Sequence, residues 1–325
     1  MIDFTVLVPE GAYASSVALT HDMLATAAAM APRARVPAPR WRVCSLRGGN
    51  VALQGGLSIE TLRLPARSRD DRSTWVIPGL GTDTPALVSE RLAREDVQPL
   101  IAALRRHAAA GGAVAASCSS VFLLQAAGLL KGRRATTTWW LAPMLQQLEP
   151  GCAVDADRMV CADGPVTTAG AAFAQTDLML HLLRQRCGAA LADAVSRALL
   201  IDGRQAQAPF IVPELLASGN DLVARLAARI EKALPEPPGV AELARAFCMS
   251  ERTLSRHVHR ATGKSTLALV QSVRLRRARK LLENSRMSVE QVAVAVGYQD
   301  ATALRRLMKK SAGANPSRYR KLAVA

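Results

Sequence analysis

The segment AVAASCSSVFLLQAAG, residues 113–128, passes from a small apolar run to a helix-like one at Cys118. A sharp strand-to-helix turn presents its side chain, and the helix start beyond it offers free N–H groups and the positive end of a dipole. Both lower a thiol pKa and can cradle an anion. Cys118 is therefore a candidate nucleophile, a candidate ligand-pocket residue, or an inert buried thiol. The stretch IPGLGTD, residues 77–83, closes another strand-like run, and its glycines let backbone N–H groups approach a ligand. The carboxyl edge of an α/β sheet is where such crevices form. Nucleophilic catalysis also needs a base, usually His. Of the five His, His257 and His259 lie in the C-terminal third, and His21, His107 and His181 fall on helix-like segments away from the elbow. No catalytic residue is expected. The six Cys form no CxxC pair and no Cys/His set at zinc spacing, so neither a metal nor a cofactor is expected, and a reduced, cytoplasmic setting fits. Trp139 and Trp140 could hold a cationic amine by cation–π contact or could simply fill core. Asp177 and His181, four apart on one helix, read as a surface pair.

A second chemistry is carried by arginines. SERTLSRHVHRATG from Ser250 and DATALRRLMKKSAG from Asp300 superpose, so that Leu254 matches Leu304, Arg256 matches Arg306 and Gly263 matches Gly313. A short amphipathic segment precedes each, VAELARAF at 240–247 and VEQVAVAV at 289–296. Helix, tight turn, N-cap Ser250 or Asp300, then a second helix describes a helix-turn-helix, present twice. Leu254, Val258, Leu304 and Met308 would anchor inward. Arg252, Ser255 and Arg256, with Thr302, Arg305 and Arg306, would then face out near the helix starts, where base edges are reached. Lys309, Lys310, Arg318, Arg320 and Lys321 suit phosphates. TLALVQSVRLRRARKLLENS joins the two units. As a helix it spans ~30 Å, close to the ~34 Å of one duplex turn. Val270, Val273, Ala278, Leu281 and Leu282 would pack between the units, leaving Arg274, Arg276, Arg277 and Lys280 mostly outside the seam.

The elements that must position these groups follow from the rest of the chain. It has 325 residues, enough for two domains, and half are hydrophobic while only 4% are aromatic. Residues 220–325 hold 21 Lys+Arg against 8 Asp+Glu, and the remainder holds 21 against 18. A basic terminal third beside a nearly neutral remainder points to a polyanion partner. IDFTVLVPEG, WRVCSL, STWVIPGLG and AVAASC read as strands, alternating with helix-like segments. That alternation predicts a parallel sheet covered on both faces. The expected fold is α/β, a flavodoxin-like sandwich with nucleophile-elbow topology, followed by an all-α domain with two helix-turn-helix units. The boundaries fall at 1–205, a linker at 206–219, and 220–325. The first residues lack the basic start of a signal peptide, and no apolar run approaches ~18 residues, so no membrane span is expected.

LARAFCMSERTLSRHVHRATGKS and VAVAVGYQDATALRRLMKKSAGANPSRYRK resemble the two halves of the AraC-type DNA-binding domain. The VGYQD turn and the ending from Gly313 to Arg320 carry most of the likeness. Val258, Leu304, Met308 and Thr266 depart from it only in apolar or capping character. The N-terminal region resembles the class I glutamine-amidotransferase-like (PfpI-type) domain of GlxA-family regulators. CSSVFLLQAAGLLKGRRATTTW is its strongest segment and DADRMVCADGPVTTAGAAFAQTDLMLHLL the next. Ser119 and Ser120 stand where that family has Thr-Gly, and Thr138 where many members have the His that would partner the elbow Cys. Glu10 lies in the loop that carries a Glu in catalytic relatives, one place before Gly11 rather than after it. The resemblance implies a DNA-binding transcriptional regulator, an activator, that responds to an amino-acid or amine metabolite. Glu10, Gly79, Leu80, Cys118, Ser119, Thr138 and Trp139 would line the ligand site. The expected partners are double-stranded DNA, a small-molecule effector, a second copy of the chain in a homodimer, and RNA polymerase, with no membrane. The alternatives are an elbow-cysteine hydrolase or amidase, or a thiol redox sensor, fused to a DNA reader.

Overall fold

The computed structural model describes residues 2–65, 71–201, 207, 221–262 and 265–312. The chain divides into two compact units, Met1–Gln205 and Ala206–Ala325. Of the expected linker at 206–219, only Gln207 lies inside the described residues.

The first unit is built on an eight-stranded sheet. Its strands are β1 (Phe4–Leu7), β2 (Trp41–Ser45), β3 (Gly49–Ala52), β4 (Ser58–Arg63), β5 (Thr74–Ile77), β6 (Val114–Ser117), β9 (Val160–Asp163) and β10 (Val166–Ala169). A separate two-stranded ribbon pairs β7 (Arg134–Ala135) with β8 (Ala153–Val154). The spatial order of the main sheet is β3-β4-β2-β1-β5-β6-β10-β9. The six inner strands are parallel, but both edges are antiparallel, β3 on β4 and β9 on β10. The alternation of strands and helices had no signal for those two edges, because hairpin strands need no intervening helix.

Successive residues of the inner strands bury on opposite faces, as the two-residue period requires. Phe4, Val6, Val76 and Ala115 pack with α1 (Ala14–Ala34), α6 (Ala174–Cys187) and α7 (Ala189–Ala198). Leu7, Ile77, Val114 and Ala116 pack on the other face with α3 (Gln98–Ala109), α4 (Val121–Ala126) and α5 (Ala142–Leu148). A further helix, α2 (Pro85–Ala93), starts at an N-cap Thr84 whose hydroxyl accepts from the Leu87 N–H. Strands flanked by helices on both faces read as near-continuous apolar runs, and β1 and β6 are buried at every position.

The second unit is helical: α8 (Asp221–Lys232), α9 (Val240–Ala246), α10 (Glu251–Thr262), α11 (Thr266–Asn284), α12 (Val289–Ala295) and α13 (Ala301–Ala312). It holds two small cores. Val223, Leu226 and Ile230 of α8 join Leu243, Leu254, Val258 and the first half of α11. Ala278 and Leu282, from the second half of α11, join Val292, Val296, Leu304 and Met308. One long helix thus supplies a wall to each core, as its apolar pattern predicts.

Candidate functional site

The elbow forms where β6 ends. Cys118 has φ 55°, a left-handed conformation rare for a residue with a Cβ. Such geometry costs about 1–3 kcal/mol and persists only where its surroundings hold it. Here four bonds hold it. The Cys118 N–H donates to the Gly170 carbonyl at 2.6 Å, and the Thr137 hydroxyl donates to the Cys118 carbonyl at 2.7 Å. The Ser119 hydroxyl donates to the Leu80 carbonyl at 2.9 Å, and that of Ser120 to the Pro78 carbonyl at 2.5 Å. The two serines after the cysteine therefore fasten the loop after β5 to the elbow. A Cβ on Gly79 would lie 2.9 Å from the Cys118 Cβ, so only glycine fits against the thiol.

The sulfur lies 3.6 Å from the Thr138 hydroxyl and 3.9 Å from that of Ser119. Cys118 is 3% exposed. Burial pushes its thiol pKa up, and the hydrogen bonds from Thr138 and Ser119 offset that only in part. The expectation of a helix start lowering the pKa and a thiol facing an open crevice is corrected here. Desolvation of the thiolate is the largest influence on it, and the sulfur is enclosed.

Gly79, Leu80, Cys118, Ser119 and Thr138 are brought together as expected. Trp139 is buried and packs edge-on against Trp140, ring centroids 4.9 Å apart. Trp140 is only half-buried, and its indole donates to the Asp83 carbonyl at 2.7 Å. Glu10 does not converge with the others. It is exposed, its carbonyl accepts from Arg91 at 3.1 Å, and its carboxylate sits 3.9 Å from Arg94. Those arginines of α2 and the turn after it draw Glu10 outward.

The residue that sequence reasoning missed is Tyr13. Its N–H donates to the Gly79 carbonyl at 2.8 Å, and its ring lies beside the space a Gly79 side chain would need. Burial raises its pKa, and Cys118 and Asp83 add to the effect. The Ala12–Leu80 bridge and the Gly81 N–H donating to the Gly11 carbonyl continue the same seam. No motif marks Tyr13, because only the pairing of the β1 and β5 loops puts it there.

Histidines are engaged elsewhere. His107 is fully buried and stacks on Trp75, centroids 4.0 Å apart. The expected surface pair of Asp177 and His181 is also corrected: Asp177 is buried and His181 only half-exposed, since α6 is covered by both α1 and α7. Among the described residues no cluster of His, Cys, Asp and Glu could hold a metal. Nor is any helix long and apolar enough to cross a membrane.

The helical unit repeats its local devices. Ser250 accepts from the Thr253 N–H at 3.1 Å, and Asp300 accepts from the Thr302 and Ala303 N–H groups at 2.7 and 3.0 Å. These are the N-caps that the repeat predicts for α10 and α13. The turns before them bend at matching left-handed residues, Cys248 (φ 55°) and Gly297 (φ 83°). Leu254, Val258, Leu304 and Met308 are buried. That aims Arg252, Arg256, Thr302, Arg305, Arg306 and Lys309 into solvent, and all six are exposed. The side chain of Lys310 lies outside the described residues, as do Arg318, Arg320 and Lys321.

Three expectations change. Ser255 is half-buried and within 3.4 Å of the Thr266 hydroxyl, so it faces the start of α11 rather than open solvent. Arg274, expected outside the seam, instead caps the second turn. It donates to the Val296 carbonyl at 2.8 Å and to the Gly297 carbonyl, and its guanidinium lies 3.7 Å from the Tyr298 ring centroid. Arg276 pairs with Glu231 of α8 at 2.6 Å. A helix that walls two cores has few sides left for free side chains.

Two family models match this chain: the DJ-1/PfpI family over residues 68–185, and a helix-turn-helix domain over residues 243–322. The HTH-type transcriptional regulator GlxA of Rhizobium meliloti is 27% identical over 53% of this chain and 55% of its own length. The HTH-type transcriptional regulator CdhR of Pseudomonas aeruginosa is 31% identical over 49% of this chain and 48% of its own. The chain thus spans about half the length of the curated relatives it matches. Among solved structures, a THiJ/PfpI family protein from Pseudomonas syringae superposes with TM-score 0.50 at 17% identity, covering 83% of this chain and 91% of that one. At that identity the likeness concerns the fold.

Proposed function

We propose that this chain, which carries a DJ-1/PfpI-family domain and an AraC-type helix-turn-helix domain, is a sequence-specific DNA-binding transcriptional regulator. Residues 1–205 sense a small metabolite and dimerise, 206–219 link, and 220–325 read DNA. The observation that carries this reading is the doubled, capped helix with an outward basic face: Arg252 and Arg256 on α10, Arg306 and Lys309 on α13. Arginine pairs bidentately with guanine, and lysine contacts phosphate.

In this reading the elbow is a ligand platform and not an active site. Among the described residues the only side chains bonded to the buried thiol are the Thr138 and Ser119 hydroxyls, and neither is the base that nucleophilic attack needs. The ligand class is an amino acid or amine, for which the half-buried Trp140 and the Tyr13 ring offer aromatic faces. Effector binding shifts the population of dimer geometries toward one that matches paired DNA sites, and the bound regulator activates transcription by contact with RNA polymerase in the cytoplasm. A thermal-shift screen of amino acids and quaternary amines on the full chain tests the sensor role. A ligand that raises the melting temperature should also tighten binding to duplex DNA. A ligand that is turned over, with turnover lost in Cys118→Ala, would overturn the reading.

A further inference from the structure

The two helix-turn-helix halves are unequal on their outward faces. At the fifty-residue offset, Ser255 of α10 corresponds to Arg305 of α13, and Arg256 to Arg306. Arg305 is not a free cation. Its guanidinium donates to the Glu290 carboxylate at 2.8 Å, and both side chains stay largely exposed, at 50% and 63%. Glu290 is in the first turn of α12, where its own backbone N–H and the Ser288 hydroxyl hold its carboxyl below the ordinary carboxylate range, with Arg305 adding to the effect. It is therefore ionised at neutral pH. The first half has no such pair: Ala241 stands where the second has Glu290, in the matched segments VAELARAF and VEQVAVAV.

This asymmetry matters because of where the carboxylate sits. It is paired with Arg305 in solvent, and Arg306 and Lys309 of the same helix α13 are exposed as well. A carboxylate on a face that approaches DNA repels every phosphate, whatever the sequence. An exposed ion pair contributes little, so a good base contact can displace it, while a diffuse phosphate contact gains little by doing so. We infer that Glu290 is a specificity-determining residue, one that masks Arg305 against non-specific phosphate contacts so that the second half engages only where a base edge replaces the ion pair. Charge placed against the wrong contact is a common source of discrimination. The first half, with Arg252 and Arg256, has no carboxylate at the matching place. This inference rests on the DNA-binding reading above.

The experiment is a salt series of fluorescence-anisotropy titrations on the full chain, with random-sequence duplex DNA as the probe, for wild type, Glu290→Gln, Arg305→Ala and the double variant. One released phosphate contact adds ~0.9 to the slope of log K against log salt. Glu290→Gln should therefore bind random duplex several-fold more tightly at low salt. It should also lose about 3.5-fold more affinity than wild type between about 50 and 200 mM salt. In the Arg305→Ala background the slope should stay unchanged and the gain should shrink to the small part that comes from lost carboxylate repulsion. A Glu290→Gln slope equal to that of wild type, or a gain of the same size without Arg305, would overturn the inference. Wild type failing to bind duplex at low salt would instead remove the DNA-binding reading itself.

Discussion

The Cys118 sulfur lies 3.6 Å from the Thr138 hydroxyl, a contact that the backbone strain at Cys118 brings about. A hydroxyl can satisfy a thiol but cannot take its proton at neutral pH. The elbow itself is strained, with Cys118 in a left-handed conformation. Burial pushes the thiol pKa up.

Thiol reactivity follows from that difference. Cys248 is exposed, while Cys118 is enclosed. In the folded protein iodoacetamide should alkylate Cys248 first, and Cys118 only on unfolding, as read by peptide mass mapping. Labelling of Cys118 at the rate of Cys248 would show an accessible, ionised thiol.

Gly79 is a tight point of the seam. A Cβ there would approach the Cys118 Cβ to 2.9 Å and the Tyr13 ring to 3.5 Å. Both neighbours are held by backbone hydrogen bonds, so Gly79→Ala should destabilise the first unit by about 1–3 kcal/mol, the usual cost of overpacking. Urea unfolding of the variant reads this as a lower midpoint at unchanged slope.

Acid stability should fall in two stages. Asp71 accepts from Arg42 at 2.6 Å, from the Trp75 indole at 2.9 Å and from the Ser73 hydroxyl at 2.6 Å. Burial alone would raise its pKa, but these bonds and the Arg42 charge outweigh it and hold the carboxyl below its ordinary value. The stability it contributes is present above the unfolded pKa of about 3.9 and is lost as pH falls through the folded value. His107 acts in the same direction at higher pH. Burial lowers its pKa more than Asp71 and the Ala113 carbonyl raise it. Its contribution is present above about pH 6.5 and is lost as pH falls toward the depressed value. Asp71→Asn should flatten the lower stage, with a cost at neutral pH below the ~3–5 kcal/mol of breaking a fully buried pair, because Arg42 is partly exposed. An unchanged acid limb in that variant would contradict the assignment.

Arg274 should matter to the second helix-turn-helix and not to the first. Its fork ends α12 on the Val296 and Gly297 carbonyls and stacks on Tyr298. Arg274→Ala should speed amide hydrogen exchange in residues 289–309 and leave residues 240–258 unchanged. Arg274→Lys should recover little, because a lysine can neither fork nor stack in the same way.

The parts of this architecture that were legible beforehand are those written in contiguous residues. The strand into Cys118, the capped repeats at Ser250 and Asp300, and the buried Leu254, Val258, Leu304 and Met308 each declare themselves within one turn or one strand. What stayed hidden depends on pairing between distant segments. Tyr13 meets the elbow only because β1 and β5 are neighbours in the sheet. Asp71 finds Arg42 because the starts of β2 and β5 flank β1. Arg274 looked like a surface cation because its helical face could not be known until α12 had been placed against it. Glu10 shows the reverse error, a residue given a role by its loop and then drawn away by Arg91 and Arg94.

The central claim is that two recognition helices of unequal character read one DNA duplex. Binding of the full chain to a random-duplex library, followed by sequencing of the retained fraction, tests it most directly with wild type, Arg256→Ala and Arg306→Ala side by side. Wild type should enrich two half-sites about 10–10.5 base pairs apart. Arg256→Ala should relax preference in one half-site and Arg306→Ala in the other, each at a cost of about 1–3 kcal/mol. Identical enrichment by all three proteins would contradict the account.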